Sequence, residues 1–181
     1  MNNIMFYRGK DNRVIGVLID FDLAVFVDDQ DGRTLHLDRR FRTGTLPFMA
    51  MDLLDETDKI HWVRHDLESV LWVTVWYTAR YDKGTETTDA FQDWRKSNMK
   101  QLVEKKIWLL NTTDMYKPTE LFRPVTVRVF ALMDLFHDTR LARDRQTRAK
   151  YARGQTSETL DPETLGGRIT YQTFLHILEE E

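Results

Sequence analysis

The sequence contains no cysteine and little glycine or proline. The absence of cysteine excludes disulfide frameworks, thiolate zinc sites and cysteine nucleophiles. With only 8 Gly and 4 Pro in 181 residues, turn-forming residues are scarcer than in an average soluble protein. The 41% of hydrophobic residues nonetheless suffices for a core, which excludes collagen-like and low-complexity classes. We therefore expect one helix-rich globular domain over residues 1–181.

A large excess of charge of one sign and a long apolar run are also missing. A net charge of −3 gives no polycationic surface, so we predict no nucleic-acid partner. The longest apolar run, residues 69–79, is shorter than the ~20 residues that span a bilayer. The first residues do not have the pattern of a secretory leader. We expect no membrane association and an intracellular protein, with cytoplasm and nucleus not distinguished.

Strands are predicted only at the front of the chain. Residues 3–8 and 13–20 are rich in strand-forming residues and flank a polar turn, which predicts a β-hairpin. Residues 21–48 have no periodic pattern and form a predicted loop of a length that is usually functional or disordered. Helices are predicted for the segments 49–54, 66–81, 90–110, 124–153 and 169–180. The third of these would be capped by Asp89 and Gln92, and Pro124 would lie in the first turn of the fourth.

The middle of the sequence is predicted to form the core. The helix at 66–81 has apolar residues on almost every face, so it must be surrounded by other elements. All five Trp residues lie between positions 62 and 108. The fold class predicted from these patterns is mainly α with a short N-terminal β-hairpin.

Asn3 and Asp20 lie at the open end of the predicted hairpin. An antiparallel pairing would bring the amide oxygen of Asn3 close to the carboxylate of Asp20. Two hard oxygen ligands with room for water suit Mg²⁺. Asn and Asp also cap turns very commonly, so their spacing alone leaves both interpretations open.

Four segments in order carry a more specific signal. They are residues 3–5 (Asn-Ile-Met), 19–24 (Ile-Asp-Phe-Asp-Leu-Ala), 42–52 (Arg-Thr-Gly-Thr-Leu-Pro-Phe-Met-Ala-Met-Asp) and 64–69 (Arg-His-Asp-Leu-Glu-Ser). This series resembles the C-terminal large lobe of a protein kinase. Its residues are most similar to the motifs of the fungal-type protein kinase family. The resemblance covers at least residues 3–81, whereas residues 82–167 agree only in their general helical character.

The resemblance implies a metal and nucleotide site. Asn3 matches the Asn that closes the kinase catalytic loop, and Asp20 matches the Asp of the DFG motif. In kinases these two residues hold the magnesium that bridges the ATP phosphates, so Mg²⁺ and ATP are the implied cofactors. Residues 21–48 would be the activation segment, and Thr43 and Thr45 would lie in its substrate-docking end. Thr43 and Thr45 could also accept phosphate, because arginines precede them.

Two further acidic residues match structural positions of the family. Residues 50–52 stand where kinases have APE, so Asp52 replaces the Glu that normally pairs with an arginine; the sequence does not identify that arginine. Asp66 resembles the buried Asp at the start of the central helix, which supports the catalytic loop. A plain helix N-cap explains Asp66 equally well.

The departures from the family decide the expected activity. No Gly-x-Gly-x-x-Gly occurs, Asp22 replaces the glycine of DFG, and the catalytic-loop Asp would fall before Met1. We expect a truncated kinase-like domain that is inactive alone, from a family that transfers the ATP γ-phosphoryl group to protein Ser/Thr hydroxyls. The alternative is a non-catalytic, pseudokinase-like module that binds a partner protein.

Three lesser features complete the set of expectations. Truncation would leave an apolar patch including Trp72 or Trp76 exposed, which predicts self-association or a protein partner. Six basic residues between Arg140 and Arg153 are interpreted as a solvated helix end. His61 and His65 have i,i+4 spacing but no third ligand, so a metal site there is not expected.

Overall fold

A computed structural model describes residues 4–19, 44–55, 60–154 and 160–179. The chain divides into two compact units, Met1–Asp38 and Arg39–Glu181. The first unit contains a hairpin and the second is mostly helical, which confirms the prediction of a mainly α protein with a short N-terminal β-hairpin. A single domain over residues 1–181 stays a prediction.

The hairpin consists of β1 (Ile4–Arg8) and β2 (Val14–Leu18), paired antiparallel with Ile4 opposite Leu18. Its turn is closed by the Gly9 amide, which donates to the Arg13 carbonyl at 2.9 Å. Asn12 adopts a left-handed conformation (φ 64°) in this turn, which its short polar side chain tolerates. Large apolar side chains of both strands are exposed: Met5, Phe6, Tyr7, Val14 and Ile15.

The described residues of the second unit form five α-helices. They are α1 (Met51–Asp55), α2 (Val63–Arg80), α3 (Met99–Asn111), α4 (Thr126–Arg153) and α5 (Tyr171–Glu179). The described residues also form four 3₁₀ turns: Leu46–Phe48 precedes α1, Gln92–Lys96 lies between α2 and α3, and Thr113–Met115 and Glu120–Val125 lie between α3 and α4. Two short strands, β3 (Tyr81–Asp82) and β4 (Thr85–Glu86), pair after α2. None of the described helices is both long and apolar enough to cross a membrane.

Helix α2 lies at the centre of the core of this unit. Leu71, Trp72 and Val75 have no exposed surface, and Trp76 is almost as buried. The expectation of an exposed patch that includes Trp72 or Trp76 is therefore wrong. Trp94, from the turn after the β3–β4 pair, packs edge-on against Trp72 with ring centres 5.8 Å apart and covers this side of the helix.

One face of α2 remains uncovered within the second unit. Val63, Val70 and Tyr77 recur every seventh residue, so they line up along the helix. Their exposed fractions are 42%, 47% and 37%. We call these three residues the α2 stripe. The exposed apolar surface thus lies on the opposite side from the one that the sequence predicted.

The predicted helix over residues 90–110 is wrong as a single element. The structure has a short 3₁₀ turn at Gln92–Lys96, and α3 begins only at Met99. Asn98 caps α3, because its Oδ1 accepts from the Gln101 amide at 2.9 Å while Gln101 Oε1 accepts from the Asn98 amide at 3.0 Å. Pro124 similarly lies in a 3₁₀ turn just before α4 rather than in its first turn.

Candidate functional site

A buried carboxylate, Asp52, joins three helices of the second unit. Asp52 lies near the start of α1 and accepts from Arg64 Nη2 of α2 at 2.7 Å. Arg143 Nη1 of α4 donates to both oxygens of Asp52, at 2.8 and 2.7 Å. Arg143 and Arg64 are therefore the partners that the sequence left unidentified for Asp52. Arg143 belongs to the basic run of α4, where no sequence signal distinguished it from its neighbours.

The surroundings of Asp52 keep it charged. Burial alone would raise the pKa of Asp52, but the facing ring of His65 and the guanidinium groups of Arg143 and Arg64 together hold it well below its ordinary value. Burial would likewise lower the pKa of Arg143, and the charge of Asp52 raises it instead. The His65 ring is wholly buried, with Nε2 3.9 Å from Asp52 Oδ2 and too far for a hydrogen bond.

Arg64 extends this network to the loop before α5. Its Nε donates to the Pro162 carbonyl at 2.8 Å. The next loop residues are ordered by Asp161, whose carboxylate accepts from the amides of Thr164 and Gly166 at 2.6 Å each. Through Arg64, the loop at 161–168 is connected to the carboxylate of Asp52, which also binds Arg143 of α4.

Glu68 of α2 holds the beginning of α1. Its Oε1 accepts from the Met51 amide at 2.8 Å and from Trp72 Nε1 at 2.9 Å, and its side chain is buried. Burial raises the pKa of Glu68, and the positive charge of Lys106 opposes that rise. Glu68 lies in the Asp-Leu-Glu-Ser motif, so its position was a signal that sequence reasoning left unused.

Lys106 of α3 is a wholly buried cation. Its ammonium group donates to the Met49 carbonyl. It also lies over the ring of Trp72, 4.9 Å from the centre, and 5.8 Å from the ring centre of Trp94. Burial lowers the pKa of Lys106 to about 7, against the opposing charge of Glu68. Nothing in the sequence separates Lys106 from its half-buried neighbour Lys105.

These groups converge on residues 45–52, which we call the 45–52 segment. Lys106 binds the carbonyl of Met49, Glu68 binds the amide of Met51, and the arginines bind the carboxylate of Asp52. The last part of the segment is therefore anchored at Met49, Met51 and Asp52 by charged side chains of α2, α3 and α4. Its first part, by contrast, presents Thr45 and Leu46 to solvent.

A partly open cleft of about 190 Å³ lies beside this network. Its walls combine apolar side chains such as Val103, Phe136 and Leu165 with the charged Arg140 and Asp144, which pair at 3.2 Å. Among the described residues there is no group of three or more His, Asp or Glu side chains that could hold a metal ion. In particular, His61 bonds Asp66 through Nε2 at 2.9 Å, and His65 Nδ1 accepts from the Trp62 amide.

Asp66 occupies a different place from the one expected. Trp62 is the N-cap of α2, so the interpretation of Asp66 as a plain N-cap is wrong. Asp66 lies in the first turn and its side chain is 68% exposed, with His61 as its hydrogen-bond partner. Its role in supporting the catalytic loop stays a prediction, because Asn3 lies outside the described residues.

Of the other predicted site residues, the structure describes some and not others. Asn3, Asp20 and Thr43 lie outside the described residues, so their roles stay predictions. Thr45 is described: it precedes the 3₁₀ turn Leu46–Phe48, and its carbonyl accepts from the Phe48 amide at 2.8 Å. The site that the structure brings together thus contains Asp52 and adds Arg64, Glu68, Lys106 and Arg143.

Comparison with known proteins gives one match. The family model described as fungal protein kinase matches residues 1–78. This match confirms the resemblance to the fungal-type protein kinase family, whereas the assignment to the large lobe stays a prediction. No curated protein and no solved structure matches the chain.

Proposed function

Because residues 1–78 match the fungal protein kinase family, we propose that the chain carries the large-lobe part of a protein kinase-like domain. The family chemistry is transfer of the ATP γ-phosphoryl group to protein Ser/Thr hydroxyls. In this chain the 45–52 segment would receive the polypeptide that carries the hydroxyl.

One observation carries this proposal furthest. A substrate-docking segment must keep its shape while it presents exposed groups to a partner, because positioning is most of what phosphoryl transfer requires from the protein. The 45–52 segment combines an exposed Thr45 with a buried anchor at Met49, Met51 and Asp52. The order of the motifs supports the proposal, because this segment precedes the central helix α2 in the sequence, as the family resemblance implies.

Asn3 and Asp20 would hold Mg²⁺. An amide oxygen and a carboxylate are a donor set that suits a magnesium ion with bound water and phosphate oxygens. The register of β1 and β2 supports this role, since it puts the start of β1 and the end of β2 at one end of the hairpin. When bound, Mg·ATP supplies the phosphoryl group, and the residues of this chain orient it and hold the acceptor.

We expect no phosphoryl transfer by the 181-residue chain alone. The sequence contains no Gly-x-Gly-x-x-Gly to cover the phosphates. A thermal-shift titration with millimolar Mg·ATP checks nucleotide binding, since a ligand at 100 times its dissociation constant adds about 2.7 kcal/mol of stability. Labelled phosphate transferred from ATP to dephosphorylated casein by the chain alone would contradict this expectation.

Docking is tested directly with a degenerate library of Ser- and Thr-containing peptides. We expect enrichment of a sequence class by the chain, and loss of that enrichment in Thr45→Glu, which adds a charge at the exposed part of the 45–52 segment. The matched control is Thr147→Glu, at an exposed position of α4. Enrichment that is absent, or equal in both variants, would rule out docking at this segment.

The second candidate is a protein-binding module without catalysis. The α2 stripe favours it, because three aligned exposed apolar residues on one helix are suited to packing against another apolar surface. Self-association through this stripe is part of the same proposal. Light scattering during size-exclusion chromatography measures whether the chain self-associates. If the wild-type chain assembles through the α2 stripe, Val70→Glu should make it a monomer. A monomeric wild-type chain would exclude self-association.

A further inference from the structure

We propose that Lys106 is a positioning residue that fixes the 45–52 segment through the backbone carbonyl of Met49. The inference rests on the proposed function for the use of that segment, whereas the contacts that carry it are independent of the activity. Lys106 is on α3, 57 positions away from Met49 in the sequence.

The first argument is the cost of placing this cation in the core. A lysine with no exposed surface loses its hydration, and a side chain such as Leu or Met would fill the same space at lower cost. The ammonium group donates to a backbone carbonyl of the 45–52 segment, and the same nitrogen lies 4.9 and 5.8 Å from the ring centres of Trp72 and Trp94. A cation that served packing alone would not need this carbonyl.

The second argument is the position of the Met49 carbonyl within the 45–52 segment. Met49 follows the 3₁₀ turn Leu46–Phe48 and has an extended conformation (φ −63°, ψ 144°). It therefore connects the exposed part of the segment to α1. The Met51 amide is bound by Glu68, so Lys106 and Glu68 hold the donor and acceptor sides of the same stretch of backbone.

Each helix packed near Lys106 contributes a charged residue to its surroundings. Glu68 faces it from α2, and Asp52 of α1 and Arg143 of α4 act on Glu68. Removing Lys106 alone would leave Glu68 as an uncompensated buried acid. A clean test must therefore neutralise both residues and keep the acceptor that binds the Met51 amide.

The double variant Lys106→Met/Glu68→Gln meets this requirement. Glutamine retains an oxygen for the Met51 amide and Trp72 Nε1, and methionine fills the space over Trp72 and Trp94. The contact to the Met49 carbonyl is then lost without leaving an uncompensated charge at position 68 or 106. The matched control is Lys105→Met, one position earlier, where the lysine pairs with Asp93 at the surface.

Hydrogen exchange by mass spectrometry gives the main readout. We expect exchange over residues 45–54 to rise about tenfold in the double variant, with α3 unchanged, since a bond from a charged donor is among the stronger ones. The carbonyl ¹³C resonance of Met49 should move upfield in the same variant. Lys105→Met should change neither measurement.

The outcomes separate this inference from the proposed function. Unchanged exchange over 45–54, or an equal rise across all helices, overturns the role of Lys106, because the first means no effect on the segment and the second a general loss of stability. A local rise together with retained binding of the peptide library supports Lys106 as the holder of the segment and counts against docking there. A local rise with lost binding supports both.

Discussion

Asp52 and Arg143 are joined by two hydrogen bonds although 91 sequence positions separate them. The pair fastens the short helix α1 to the long helix α4, and Arg64 fastens both to α2. A carboxylate bonded by two guanidinium groups and faced by a histidine ring is strongly held, because ionised partners make shorter and stronger hydrogen bonds.

Replacing Arg143 should destabilise the second unit. Arg143→Met leaves Asp52 with Arg64 as its remaining arginine, and breaking one side of a buried pair costs about 3–5 kcal/mol; the partly exposed Arg143 puts this variant at about 2–3 kcal/mol. Urea denaturation measures the loss. Arg145→Met, on the exposed side of α4, is the control and should stay within about 0.5 kcal/mol of wild type. Equal effects of the two variants would mean that the Asp52 pair adds no stability.

The depressed pKa of Asp52 predicts an acid limit. The folded pKa lies below the unfolded one, so this contribution is complete above about pH 4 and is lost as the pH falls further. The free energy of unfolding should therefore decrease between pH 4 and pH 2, and Asp52→Asn should show a smaller decrease. Parallel pH profiles for the two proteins would argue against the shift.

Lys106 should titrate near neutrality. Its amine has a pKa of about 7 in the folded chain, compared with an ordinary value of 10.5. The unfolded chain then binds the extra proton between these values, so stability due to Lys106 should rise from pH 7 to pH 10. The ¹³Cε resonance of Lys106 measures the midpoint. A midpoint above pH 9 would disprove the shift.

The cap of α3 should have a measurable effect of its own. Asn98→Ala removes the oxygen that accepts from the Gln101 amide, and loss of such a cap costs about 1 kcal/mol. Asn98→Asp keeps an acceptor and is the matched control. The measurement is the midpoint of urea denaturation; an alanine variant as stable as the aspartate variant would show that the cap is dispensable.

Alanine variants of the neighbouring Gly166 and Gly167 should distinguish the cost of backbone strain from the cost of a steric conflict. Gly166 and Gly167 both have a positive φ, 75° and 73°. A Cβ on Gly166 would also lie 2.6 Å from Cδ2 of Leu160, whereas one on Gly167 would have nothing within 4 Å. Each alanine variant should lose about 1 kcal/mol through strain, and Gly166→Ala should lose more. Thermal denaturation measures the stability of both variants. An equal loss of stability would show that the contact with Leu160 adds no steric cost.

The sequence was sufficient for the hairpin and for the central helix because both follow from local patterns. Strand-forming residues on both sides of a polar turn predict the strand pair, and a run apolar on nearly every face predicts a surrounded helix. The break before α3 was missed because Asp89–Gln92 and Asn98–Gln101 are equivalent as local capping signals. Trp94 lies between the two pairs and packs against Trp72, a tertiary contact that no local capping signal encodes.

The candidate site was only partly predictable for a related reason. Asp52 could be singled out by its place in a motif, but its partners come from distant helices. Arg143 is one of six basic residues in its run, and Lys106 follows another lysine. Which member of each set faces inward depends on the rotation of α4 and α3 against α2. That rotation is a tertiary property that periodicity alone does not fix.

The long sequence separations in this network also concern the order of synthesis. Asp52 and Arg64 leave the ribosome well before Arg143 and Pro162, their partners 91 and 98 positions later. A nascent chain that ends near residue 140 can therefore pair Asp52 with Arg64, but it lacks the two hydrogen bonds from Arg143 and the bond to the Pro162 carbonyl. The helical unit would complete this network only after residues 143 and 162 have been synthesised, so its final packing follows the synthesis of α4 and of the loop before α5.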